Sequence, residues 1–527
     1  MNDSVGAKRQ SAWKGAFVLV VAGIVTKILS AVYRVPFQNI VGDVGFYIYQ
    51  QVYPFLGIAV MLSTSGFPVI ISKLMNDYSD HKQKIMKISA LYVTAAGLVL
   101  FALMYAGAAP LAGFMGDDRL VMLIRVAAFA FILFPFTAVF RGYFQGVHDM
   151  MPSALSQITE QLLRVAVLLG LSFWLLKSGR SLYAAGAGAA SGSIAGSLAA
   201  LCVLAVFWYK REETTKKDGG HIETAVIIKK LLLYSVTICI SSVLMLLIQL
   251  VDALNLYSLL SDGTESHAAK QLKGIYDRGQ PLLQLGTVFA VSIAASLVPS
   301  ISKAVHENKP FIIKEKATSA VKLCLAVGIG ASAGLFCILE PVNIMLFQNS
   351  EGTQTLQIFS LSIFFASIAL TAAAILQGAG HTVFPAVSVL AGGALKWVLN
   401  VWLVPGWGIT GAALATVLAF AAVACLNLRR IWSKGWLTNI GGVIARLCWC
   451  SLLMVFFLLV YMKLWQLFVP VSRAGAVCES LSASVIGGLL FIYCMIRMKI
   501  FTDEELSGLP FGSALSKLKK RREKHGR

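Results

Sequence analysis

Two cations, Lys27 and Arg34, stand seven residues apart inside the first long apolar segment of the chain. Seven residues make close to two helical turns, so both side chains leave the same helix face. A lysine or arginine at mid-bilayer depth costs roughly 2.5 to 3.5 kcal/mol by insertion scales, and therefore faces water or a partner. The chain makes the same choice at Arg141, Arg164, Arg278 and Lys396. Charge of this kind does no covalent chemistry; it attracts anions. The expectation is a membrane-embedded cavity for an anionic ligand, with Lys27, Arg34, Arg141, Arg164 and Arg278 as its substrate-binding residues. Two competing readings concern single members: Arg141 snorkels to the headgroups from its span end, or Glu160 and Arg164 neutralise each other as an i, i+4 pair.

A second polar group lies later in the sequence. Gln249, Asp252 and Asn255 recur every third residue on one apolar segment, and Lys396 precedes Asn400 by about one turn on another. Asp252 needs a partner, so the expectation is an ion pair with Lys396 or a cation site built by Asp252, Asn255 and Asn400. Arg278 sits in YDRGQPL, Tyr276 to Leu282, where Gly279 and Pro281 interrupt regular helix and expose backbone. No P-loop, G-x-G-x-x-G, H-E-x-x-H or C-x-x-C occurs, and no extramembrane segment is large enough for a nucleotide-binding domain. No enzyme, metal site or organic cofactor is expected. Energy would come from sodium or proton coupling, or from the membrane potential.

The elements that must position these residues follow from composition. Over 527 residues, 57% are hydrophobic, 13% are charged, and mean hydropathy is +0.75, the signature of an all-α polytopic membrane protein. Cutting at about 20 apolar residues per span gives fourteen helices, from 14–40 and 44–72 to 439–463 and 474–498. The expected division is an N-terminal lobe at 1–209, a linker at 210–228, a C-terminal lobe at 229–431, two appended helices at 439–498 and a basic tail at 499–527. Lysine and arginine cluster in alternate loops, around Lys8 to Lys14, Lys73 to Lys87, Lys210 to Lys217 and Lys303 to Lys316, and in the tail. Both termini are therefore expected on the cytoplasmic side. Topology accounts for the net charge of +20, and nucleic acid is not an expected partner. The nine cysteines have neither metal nor disulfide spacing.

The two halves echo each other. GFPVIISK (Gly66 to Lys73) answers SLVPSISK (Ser296 to Lys303), placing Pro68 and Pro299 231 residues apart, and FQGVHDMMPSA answers LQGAGHTVFPA, placing Gln145 and Gln377 232 apart. One shared offset for unrelated strings implies two six-helix bundles in parallel repeat, around a central site that opens alternately to each side. The small-residue run Gly186 to Gly196 implies close helix packing.

Four strings carry a family resemblance: KILSAVYRVPFQNIVGDVGFYIYQQVYPF at Lys27 to Phe55, SGFPVIISK at Ser65 to Lys73, RGYFQGVHDMMPSALSQITEQLLRV at Arg141 to Val165, and YDRGQPL. The chain resembles the SpoVB/MurJ-like branch of the polysaccharide exporters in the MOP superfamily. That resemblance implies fourteen spans in two lobes around a V-shaped central cavity, and the flipping of polyprenyl-diphosphate-linked oligosaccharide or peptidoglycan precursor across a bacterial cytoplasmic membrane. It implies cavity roles for Lys27, Arg34 and Arg278, with membrane lipids and cell-wall synthesis enzymes as partners. Two departures stand out. Tyr53 precedes Pro54 where such proteins carry a cation, which implies a different headgroup. Lys396 stands where some relatives place an acidic sodium ligand, which puts sodium coupling in question. Two other functions stay open: a MATE-type proton- or sodium-coupled exporter of small organic cations, and a non-transporting scaffold for wall or spore-coat synthesis.

Overall fold

A computed structural model describes residues 18–19, 21–211, 223–235, 239, 243–262, 264–438, 440–470 and 472–501. Most of the linker, the basic tail and the cluster Lys8 to Lys14 lie outside the described residues. Among the described residues the regular structure is helical, with no strand. Twelve stretches are long and apolar enough to cross a membrane. Two of them, Val21–Asp77 and Val383–Ser433, run 57 and 51 residues. At about 1.5 Å per residue each is long enough for two crossings. Each also contains a glycine at positive φ, Gly42 at φ 68° and Gly408 at φ 54°, where the helix breaks. The expected all-α architecture is present.

The helices gather into two compact units. The first comprises Met1–Val288 with His381–Ala419, and the second Phe289–Gly380 with Phe420–Arg527. These limits differ from the lobes expected at 1–209 and 229–431. The reason lies in the contacts: the helices Leu244–Ser261 and Ser266–Asp277 pack on Arg34–Met61. Part of the later sequence is therefore compact with the first spans.

The repeat is visible in the backbone. Left-handed residues recur at nearly constant offset: Gly116 and Gln348, 232 apart; His148 and Gly380, 232 apart; Gly179 and Gly408, 229 apart. The turns also share bonds, since the His148 amide donates to the Gln145 carbonyl at 3.1 Å and the Gly380 amide to that of Gln377 at 3.0 Å. Leu91, Leu103, Phe456 and Leu464 are exposed on the outer faces of their helices, while arginine, lysine and glutamine are buried within. Lipid as solvent explains this inversion.

Candidate functional site

Arg34 opens the helix Arg34–Met61 and is 2% exposed. Its guanidinium lies 4.2 Å from the centre of the Tyr53 ring, so the tyrosine that replaces the expected cation supplies an aromatic face to one. Tyr33 and Tyr49 join their hydroxyls at 3.1 Å, and Phe37 packs edge-on against Tyr49 at 5.1 Å. Neither Arg34 nor Lys27 has a carboxylate within ion-pair distance among the described residues, and Arg34 Nε is buried with no hydrogen-bond acceptor. Lys27 is partly buried, and its carbonyl accepts from Gln284 Nε2 at 3.5 Å.

Arg141, Glu160 and Arg164 form the next group. Arg141 does not snorkel: it is fully buried, donating to Ser156 Oγ at 2.9 Å and to Glu160 at 2.8 Å. Arg164 takes the other Glu160 oxygen at 2.5 Å. One carboxylate serves two guanidiniums, so the triad keeps a charge of one positive. Tyr53 feels the charge of both Arg34 and Arg164, which places this surplus near the unpaired cations. The small-residue run sets the geometry: a Cβ on Gly192 would meet the Arg164 carbonyl at 2.8 Å, and one on Gly196 the Glu160 carbonyl at 2.5 Å. Backbone contact this close needs glycine. Glu160→Gln is expected to destabilise the fold by about 3 to 5 kcal/mol, because it strands two buried arginines; thermal unfolding in detergent, read by size-exclusion chromatography, checks this.

Arg278, expected to open toward a ligand, is instead fully buried and paired with Asp43. Nε donates to Oδ1 at 2.9 Å and a second nitrogen to Oδ2 at 2.7 Å. Nearby, Lys273 binds both oxygens of Asp277 at 2.7 and 2.8 Å. Lys270 pairs with Asp117 at 3.0 Å, and Asp117 also accepts from Tyr47 at 3.1 Å and Tyr183 at 2.6 Å. The sequence reading missed Asp43 and Asp117. Only Lys273 and Asp277 left a local signal, their i, i+4 spacing.

Asp252 and Lys396 meet at 2.8 Å, both fully buried. Asn400 donates to Asp252 at 3.1 Å and to Asn255 at 2.9 Å. Lys396 also reaches Thr416 and, at 3.3 Å, the Tyr276 hydroxyl, which itself donates to Asp252 at 2.7 Å. Tyr276 and Thr416 were not foreseen. The donor set does not fit a sodium ion: the ammonium of Lys396 already draws on the same oxygens, and a second cation beside it would meet like charge. The four coupling candidates therefore form one connected network.

The chain matches the model of the polysaccharide biosynthesis protein family over residues 12–305. It belongs to that family. A MatE family model also matches, over residues 237–402. The chain is 66% identical, over the whole of both chains, to the uncharacterized membrane protein YabM of Bacillus subtilis. From the same organism it is 25% identical to the lipid II flippase MurJ, covering 78% of this chain and 80% of that one, and 28% identical to stage V sporulation protein B, covering 80% and 83%. Among solved structures, a lipid II flippase MurJ in an inward closed conformation superposes with a TM-score of 0.67 at 14% identity, covering 92% of this chain and 100% of that one. The resemblance to SpoVB/MurJ-like members of the MOP superfamily thus stands for the sequence and the fold. As a family member the chain is a multi-span membrane transporter of flippase type.

Proposed function

We propose that this protein flips a polyprenyl-diphosphate-linked oligosaccharide or peptidoglycan precursor across the bacterial cytoplasmic membrane by alternating access, with both termini in the cytoplasm. The observation that carries this reading is the balance of buried charge. Among the described residues, Arg278, Lys396, Lys273 and Lys270 each have a carboxylate, whereas Lys27, Arg34 and one of the pair on Glu160 do not. About three positive charges without partners suit a diphosphate and repel an organic cation, which favours this reading over the MATE-type one. Lys27 and Arg34 hold the headgroup as substrate-binding residues, with the surplus of Arg141 and Arg164 beside them. Tyr53, half-buried beside Arg34, offers a ring face to a sugar. Arg278 acts by holding Asp43, and its ion pair must part if it is to meet substrate.

The site performs no covalent chemistry, so the protein is a transporter and not an enzyme. Because Lys396 fills the position a coupling ion would take, the membrane potential is the proposed driving force, supplying about 2.3 kcal/mol per charge per 100 mV. Cell-wall synthesis enzymes are the proposed suppliers and consumers of the carrier. The test is headgroup translocation in proteoliposomes loaded with a fluorescent polyprenyl-diphosphate oligosaccharide. Lys27→Ala and Arg34→Ala, at wild-type folded yield, are expected to slow flipping about tenfold to a hundredfold each, the worth of one charged hydrogen bond. Absence of flipping by the intact protein overturns the reading.

A further inference from the structure

The second compact unit contains a cleft unrelated to the cation network. It is bounded by the C-terminal turns of the helices Pro310–Phe347 and Gly441–Phe468 and by the start of Arg473–Arg497, and has a volume of about 40 Å³. Glu340, Glu479, Trp465 and Gln466 supply its polar and aromatic lining, and Pro341 and Ile344 part of its apolar wall. No lysine or arginine lines it. Arg473, the cation nearest in sequence to the cleft wall, donates to the Met345 carbonyl at 3.3 Å.

Three features give the cleft a negative character. Glu340 and Glu479 share it, close enough for Glu479 to feel the charge of Glu340. Two helix C-termini contribute the negative ends of their dipoles. The opposing N-terminus is already capped, since Ser472 Oγ accepts from the Gly475 amide at 3.1 Å. A separate observation points to a ligand: Glu479 is 7% exposed, and its Oε1 is buried with no hydrogen-bond donor. A buried carboxylate oxygen without a donor is costly, and such groups are ordinarily satisfied.

We propose that this cleft binds a primary ammonium group. An ammonium carries three donors and one positive charge, which match the free Glu479 oxygen and the Glu340 carboxylate. The Trp465 ring adds a cation-π face. A bare metal ion fits less well, since no group of three or more metal-ligating side chains occurs among the described residues. The ammonium comes either from a phosphatidylethanolamine headgroup or from a soluble amine.

The test uses the full-length protein in phosphatidylglycerol nanodiscs, with labelled short-chain phosphatidylethanolamine in one arm and labelled putrescine in the other. Saturable binding is expected in at least one arm, and the arm that binds identifies the source. Glu479→Gln and Glu340→Gln should each weaken it about tenfold, the loss of one charged contact, and short-chain phosphatidylcholine, whose quaternary nitrogen has no N–H, should compete poorly. Glu340 is exposed, so Glu340→Gln gives the answer should Glu479→Gln fold badly. No saturable binding in either arm, or binding undiminished by Glu340→Gln, overturns the proposal.

Discussion

Lys396→Met is expected to cost about 3 to 5 kcal/mol of stability, while Asp252→Asn combined with Lys396→Met recovers most of it. Both side chains are completely buried and meet at 2.8 Å. Removing only the lysine leaves a carboxylate without its counter-charge in a site closed to water, the costliest outcome for a buried pair. Neutralising both partners removes the charge that needed compensation; the new amide oxygen can accept from Asn400, and its NH2 can donate to the Tyr276 hydroxyl oxygen. Thermal midpoints of the two single variants and the double variant in one detergent supply the cycle. Equal midpoints for all would show that the pair carries no coupling. The same network predicts an ion effect. Lys396→Ala vacates the ammonium position among the oxygens of Asp252, Thr416 and Tyr276, so its midpoint should rise in sodium chloride relative to choline chloride. The parent protein should show no such difference. A sodium-dependent rise in the parent would sink the view that lysine serves as the resident cation.

Much of this network was legible in the sequence, and the limits of that legibility are physical. A charge in an apolar segment announces itself, so Lys27, Arg34, Arg141, Arg164, Arg278, Asp252 and Lys396 stood out. Pairs within one helix were also legible, because i, i+4 spacing brings Glu160 to Arg164. The pairing of Asp252 with Lys396 followed from each lacking a local partner. Asp43 and Asp117 gave no such signal. They lie where apolar segments end, where a carboxylate is ordinarily solvated, and their partners are 235 and 153 residues away. No periodicity links residues on different helices. The lobe boundaries failed to match the compact units for a related reason. A repeat records how a chain duplicated, whereas contacts record the conformation it holds. The glycine run Gly186 to Gly196 was readable as close packing because small residues signal proximity whatever the partner.

Gly274→Leu is expected to abolish transport at near-normal expression. A Cβ at this position would stand 2.1 Å from the Asp43 backbone oxygen and 2.7 Å from its carbonyl carbon. Backbone offers no rotamer by which to yield, so the helix Ser266–Asp277 must move off Arg34–Met61. That junction holds the Asp43–Arg278 pair and the Gln51 bond to the Ala253 carbonyl at 3.1 Å, and Lys270–Asp117 lies on the same helix. All of them join early spans to later ones within one unit. In an alternating-access cycle such a junction is closed in one state and parted in the other, so a side chain wedged there holds it parted. The measurement is maleimide labelling of Gln51→Cys from outside the cell, in a background lacking the nine native cysteines. Labelling should rise about tenfold with Gly274→Leu, since a two-state equilibrium moves tenfold for each 1.4 kcal/mol of bias. Asp43→Ala should raise it as well, by removing the ion pair with Arg278 and leaving the close approach intact. If Gly274→Leu lost transport while labelling stayed at the parent level, the junction would be a structural seam and not a moving part.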